Sequence, residues 1–165
     1  EFQLHPVGPQ VLSGLIVFPF DAARSVLTQF ARFTETMPDD LNVWMVTRKA
    51  PPLPFLPAKV HGQEIVALAI CYAGDPAEGE RLIAPLRGFG KAHGEHIGVQ
   101  PYAAWQQAFD PLLTKGARNY WKSHNFARLS DDAIDTIIEY AGKLPSPQCA
   151  SSSIGRNSAS RANTR

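Results

Sequence analysis

The sequence predicts an α+β fold: a mostly antiparallel sheet with helices packed on one face. Three observations lead there. Strand and helix signals run in the order strand–helix–strand, strand–helix, strand–helix, the alternation that layered α+β domains show. At 165 residues, 44% of them apolar, the chain has the size and composition of one ordinary domain. A chain of that length buries roughly 70% of its extended surface, so a core is expected.

The first strand is Val11 to Phe20 (VLSGLIVFPF), a short apolar run that Pro19 closes, too short for a buried helix. Asp21 then offers an N-cap for a helix whose apolar residues Ala23, Val26, Leu27, Phe30, Phe33 and Met37 recur at the three-and-four spacing of one face. Pro38 ends it. Leu41 to Lys49 alternates as a strand with one buried face. The segment Ala50–Lys59 holds four prolines and reads as a stiff loop. Glu64 to Tyr72 (EIVALAICY) is nearly continuous in apolar residues and predicts a strand covered on both faces.

Asp75, Pro76 and Glu78 form a helix start, with a cap, a proline at the first helical position and the glutamate of a capping box. Leu82, Ile83 and Leu86 are its buried stripe, and Pro85 is expected to kink or shorten it. Next comes a glycine-rich turn, and then the aromatic, irregular stretch Pro101–Leu113. Arg118 to Phe126 (RNYWKSHNF) alternates as a strand. Ser130 caps a last helix, with Asp131 and Asp132 at its positive end and Ala133, Ile134, Ile137, Ile138 and Ala141 facing inward. Gly142 and Pro145 stop it. The opening EFQLHPVGPQ reads as part of a further strand.

Residues 1–149 are thus expected to form the folded body and residues 150–165 a disordered tail. That tail holds three arginines, five serines, no acid and one large apolar residue, Ile154, too little to offset the entropy of ordering it. The overall charge of +1 divides into a body of −2 and a tail of +3, which argues against a nucleic-acid partner. No apolar run approaches the ~18 residues of a membrane-spanning helix, and no secretion signal is visible. A cytoplasmic protein is expected. Two cysteines, Cys71 and Cys149, make neither a disulfide scaffold nor a four-cysteine zinc site.

Few motifs carry chemistry. The glycines of RGFGKAHG (Arg87–Gly94) miss dinucleotide-loop spacing by one residue and follow a helix instead of a strand, so a connecting turn is expected. His93, Glu95 and His96 lack the helical four-residue histidine spacing of metalloproteases, and no metal is expected. A nucleophile elbow of the Gly-x-Ser-x-Gly type is absent.

The stretch Tyr120–Phe126 is more informative. Alternation puts Tyr120, Lys122, His124 and Phe126 on one side and Trp121, Ser123 and Asn125 on the other. Two readings stand side by side: an exposed sheet face that uses aromatics for strand propensity, or a ligand wall in which rings give contact area and Lys122 or His124 gives charge or protons. Trp44 and Arg48, four apart on the second strand, share a face and would border the same wall.

The segments EFQLHPVGP, GLIVFPFDAA, CYAGDPAEGERLIAPLRGFG, PYAAWQQAFDPLL and NYWKSHNF resemble bacterial FAD-linked oxidases, the berberine-bridge-like branch of the vanillyl-alcohol-oxidase type flavoproteins. The likeness spans about residues 1 to 149. It implies the substrate domain of an enzyme that passes a hydride from a small organic substrate to flavin. In that family an N-terminal domain holds FAD, often through a covalent histidine and sometimes also a cysteine. That domain and the family's C-terminal return to it are expected outside this chain, so FAD is held mainly by a partner domain. No FAD-anchoring residue carries over. On the alternation of Tyr120–Phe126 and of the second strand, His124 or Lys122 is expected to handle the substrate proton, with Tyr120, Trp121, Trp44 and Arg48 against the substrate. The change of composition at residue 150 suggests a shifted reading frame or a misassigned gene end. The competing reading is a stand-alone α+β module that binds a small ligand or dimerises without redox activity; a remnant without function is a third.

Overall fold

The structure is a computed structural model, and it describes residues 7–112, 115–126 and 128–154. Its centre is a five-stranded antiparallel sheet. Strands β1 (Gln10–Pro19), β2 (Leu41–Lys49), β3 (Glu64–Tyr72), β4 (Gly94–Pro101) and β5 (Ser151–Ile154) lie in the order β4-β1-β3-β2-β5. Helix α1 (Ala23–Phe33) joins β1 to β2, and α2 (Pro76–Arg87) joins β3 to β4. Because β3 lies between β1 and β2, and β1 between β3 and β4, the two strand–helix–strand units interleave as split βαβ units, a ferredoxin-like arrangement. The short α3 (Tyr102–Gln107) and α4 (Asp131–Ala141) follow.

The predicted α+β class with an antiparallel sheet and helices on one face is what the chain adopts. Leu12, Ile16 and Phe18 of β1, Val43 and Met45 of β2, and Val66, Leu68 and Ile70 of β3 meet Val26, Leu27 and Phe30 of α1, Ile83 and Leu86 of α2 and Ile134 of α4. Each such side chain is stabilised by roughly 1.5–3 kcal/mol on burial. Arg24 and Asp135 pair across α1 and α4, but both side chains are half-exposed and the pair adds little.

The bounds of β2 and β3 match the sequence reading, and β3 is buried on both faces as its composition demands. The caps of two helices do as well: Asp75 accepts from the Glu78 amide at 3.0 Å, and Ser130 from the Ala133 amide at 3.3 Å. Elsewhere the structure departs from expectation. Asp21 caps nothing; it sits in a short 3-10 turn, Phe20–Ala22, that precedes α1. Helix α2 runs through Pro85 and ends two residues later.

Strand β4 replaces part of the expected glycine-rich turn. It is an edge strand, mostly exposed on one side, and its glycines and charges hide the strand signal. Gly14 lets it approach: a Cβ there would stand 2.6 Å from the Ile97 Cα and closer still to the His96 carbonyl oxygen.

Residues Arg118–Phe126 do not form a strand. Residues 117–126 are irregular and exposed, and pair with no strand. The expectation of disorder from residue 150 also fails at its start, because Ser151–Ile154 pair with Thr47–Trp44 of β2. The expected strand at the opening falls largely on residues 1–6, and the rest of the tail on 155–165, outside the described residues.

Candidate functional site

The two faces of the sheet differ in what covers them. Helices α1, α2 and α4 fill one. On the other, residue alternation aligns His96, Leu15, Ala69, Trp44 and Ile154 in one row across all five strands. Two pieces of chain close over this second face. The proline-rich stretch after β2 packs Leu53, Phe55 and Leu56 over Val17, Ile65 and Ala67, with the Phe55 ring stacked on His96 at 5.6 Å. From the other side, Phe109 just beyond α3 lies 6.3 Å from the Trp44 ring and is held edge-on by Trp105 at 4.9 Å. Between them Gln100 donates to the Ser13 hydroxyl at 2.8 Å.

Trp44 and Arg48 share this second face, as their spacing requires. The Trp44 indole N–H is buried and, among the described residues, meets no hydrogen-bond acceptor, which costs about 1–3 kcal/mol. Arg48 donates from Nη2 to the Pro147 carbonyl at 3.0 Å and from Nε to the Lys49 carbonyl at 3.4 Å. Burial pulls its pKa down. It lines a groove of about 410 Å³ with Pro51, Pro52, His61, Leu112 and Pro147, among others.

The other four predicted site residues stand elsewhere. Tyr120 and Trp121 are 83% and 75% exposed, and Lys122 and His124 are exposed beside them. Their alternation survives locally: Lys122 Nζ lies 5.9 Å from the Tyr120 ring, and the His124 and Phe126 rings meet at 4.7 Å. The expected sheet wall joining them to Trp44 and Arg48 is absent, because a two-residue period sets the side of a chain, not its ladder partner. The groove beside Arg48 includes none of the four.

A flavin ring needs a flat, accessible surface. The middle of the second face does not fit one, since Ala67 and Ala69 are 8% and 5% exposed under the chain's own cover. Glu95 pairs with Arg87 at 2.7 Å while His96 stacks on Phe55, so the two point apart. Among the described residues no group of three or more His, Cys, Asp or Glu converges on a metal-sized site. Arg87 also pairs with Glu80 at 2.9 Å; the Glu95 hydrogen bonds, with these, raise its pKa further and fasten α2 to β4.

The sequence reading missed Trp105 and Phe109, although their i,i+4 spacing is a helical signal. It also missed Phe55 with His96, Gln100 with Ser13, and the role of Pro147; in sequence these partners stand 41, 87 and 99 residues apart. No local pattern reports such pairs.

The fold and its second face define an α+β protein with an antiparallel sheet, helices on one side and a groove at the end of β2 on the other. No protein-family model matches the chain, and no curated protein matches it. No helix among the described residues is long and apolar enough to cross a membrane.

Proposed function

We propose that this chain is the substrate-binding portion of an FAD-dependent oxidoreductase of the FAD-linked oxidase, berberine-bridge-like type, working in the cytoplasm, with FAD held mainly by another domain. One observation carries the reading beyond the sequence resemblance. The ribbon Tyr120–Phe126 presents three large exposed rings, Tyr120, Trp121 and Phe126, and the exposed side chains of Lys122 and His124, and exposed apolar surface of that kind calls for a cover. A flavin-bearing domain would be that cover.

When bound, FAD supplies the hydride acceptor, and the protein's share is orientation and proton handling. In this reading Tyr120 and Trp121 orient the substrate. His124 takes its proton once the ribbon is enclosed, or Lys122 does if enclosure holds its amine neutral, since a base must come within hydrogen-bond reach of that proton. Fold alone does not assign function, so the test is genetic and spectroscopic. Sequencing the DNA that adjoins the codon for Glu1 should find an in-frame FAD-binding half. In the joined protein, His124→Ala should lower kcat by about 10²–10⁴. The 165-residue chain alone should leave gel filtration without flavin absorbance. An unrelated or interrupted reading frame beside Glu1, or a yellow isolated chain, overturns the reading.

A second reading has its own support. The chain closes its second face with its own residues and leaves a groove beside Arg48, which suits a stand-alone small-ligand-binding module without redox activity. Tight binding of a small ligand by the isolated chain, together with no adjoining flavin domain, selects it.

A further inference from the structure

We propose that the groove at the end of β2 binds a small organic anion, an aromatic or alkyl carboxylate, with Arg48 as its counter-ion. This does not rest on the flavin reading; it deepens the small-ligand reading by naming the ligand class of the same groove. The groove holds about 410 Å³, within the range of small-molecule sites. Pro51, Pro52, Leu112 and Pro147 give it apolar walls, three of them prolines whose fixed φ leaves little to order on binding.

Arg48 is what makes the groove selective. Arg24, Arg81, Arg87 and Lys143 each pair with a carboxylate. Arg48 is half-buried and, among the described residues, pairs with none; no acidic residue lines the groove. Its two partners are carbonyl oxygens, which orient the guanidinium and leave its charge uncompensated. A half-buried cation in that state favours an incoming anion. Of its five N–H groups, Nε and one on Nη2 are engaged. The two on Nη1 and the second on Nη2 remain, an end-on fork of the kind that grips a carboxylate. His61 adds a ring N–H at the rim. Lys49 also borders the groove, although alternation places its side chain on the opposite face of β2 from Arg48. The ligand therefore has one carboxylate and an apolar body that rests on the prolines.

The test is an NMR titration of the 165-residue chain with phenylacetate and, separately, with its neutral isostere phenylacetamide. Phenylacetate should bind at least about tenfold more tightly than the amide, the equivalent of one charge-assisted hydrogen bond. Amide shifts should gather at residues 48–52, 61–62 and 147–148. Arg48→Gln should remove the preference for the acid. Should that variant misfold for want of a donor to Pro147, Leu112→Glu serves instead: position 112 is 40% exposed, and the added carboxylate should weaken phenylacetate by about tenfold or more. Equal affinity for acid and amide, shifts centred elsewhere, no binding at roughly millimolar phenylacetate, or Leu112→Glu without effect each overturn the proposal.

Discussion

Replacing Gly14 by alanine should detach β4 from the sheet. The added Cβ falls 2.6 Å from the Ile97 Cα and 2.8 Å from the His96 carbonyl carbon, with the His96 oxygen nearer still. All three are backbone atoms, so no side chain can rotate away, and one strand must move by about an ångström or more to restore contact distance. Forced overpacking of this kind costs about 1–3 kcal/mol. The strand movement also breaks about two ladder hydrogen bonds near Gly14↔Ile97, at ~1 kcal/mol each. Together Gly14→Ala should cost roughly 3–5 kcal/mol, a large share of the 5–15 kcal/mol of an ordinary domain. Urea unfolding followed by circular dichroism gives the total. Hydrogen exchange gives the location, with amides of Gly94–Pro101 losing protection before those of β2 and β3. The loss reaches the second face too, because β4 carries His96 under Phe55 and leads into α3. A cost below about 1 kcal/mol with β4 still protected would show that the close approach is not there.

The helix caps offer a smaller effect: Ser130→Ala and Asp75→Ala should each cost about 1 kcal/mol in urea melts and add in the double variant, since they lie on separate helices. Stability should fall in alkali. Burial raises the Tyr72 phenol above its ordinary 10.0, helped by Glu78, Asp40 and Asp75, and burial raises the Cys71 thiol above 9.0. The folded state thus holds both protons longer than the unfolded one, so their contribution is complete below pH 9 and lost as pH climbs through the folded values; a melting temperature that stays level above pH 10 would contradict this. A chain ending at Ala150 should show faster amide exchange along Trp44–Thr47, the residues that β5 covers. Trp44→Phe should cost no more than about 1 kcal/mol, since the lost ring area is offset by removal of a buried N–H without an acceptor; a loss near 3 kcal/mol would mean that the N–H has a partner.

What was legible in the sequence follows from the range over which each signal acts. The strands β2 and β3 and the helices α2 and α4 announce themselves within a dozen residues, through apolar periodicity and caps such as Asp75 and Ser130. Strand β4 did not, because an edge strand carrying Gly94, Glu95, His96 and Gly98 needs little apolar content, and its place is secured by Gly14 some eighty residues earlier. Strand β5 was hidden for a similar reason. Ser151–Ile154 are three serines and an isoleucine, which pair because β2 offers them an open edge. At the site, Trp44 and Arg48 were assigned to one face correctly, since both lie on a real strand. Tyr120, Lys122 and His124 had the same alternation without a ladder to join.

The contrast between those two groups bears on where function resides in this fold. In this chain the central strand β3 is buried on both faces. Polar side chains in mid-strand, such as Ser13 and Thr47, are buried and bonded within the chain, so a polar group that opens onto a groove stands near a strand end. Arg48 meets that condition: it stands one residue from the end of β2 and reaches a carbonyl at Pro147, between α4 and β5. The groove is consequently a product of β5 being paired, because that pairing brings the 147–148 stretch back to the end of β2. A chain that loses Ser151–Ile154 should lose the groove's far wall along with the strand. Ser151–Ile154, unremarkable in composition, would then decide whether Arg48 faces a walled groove or open water.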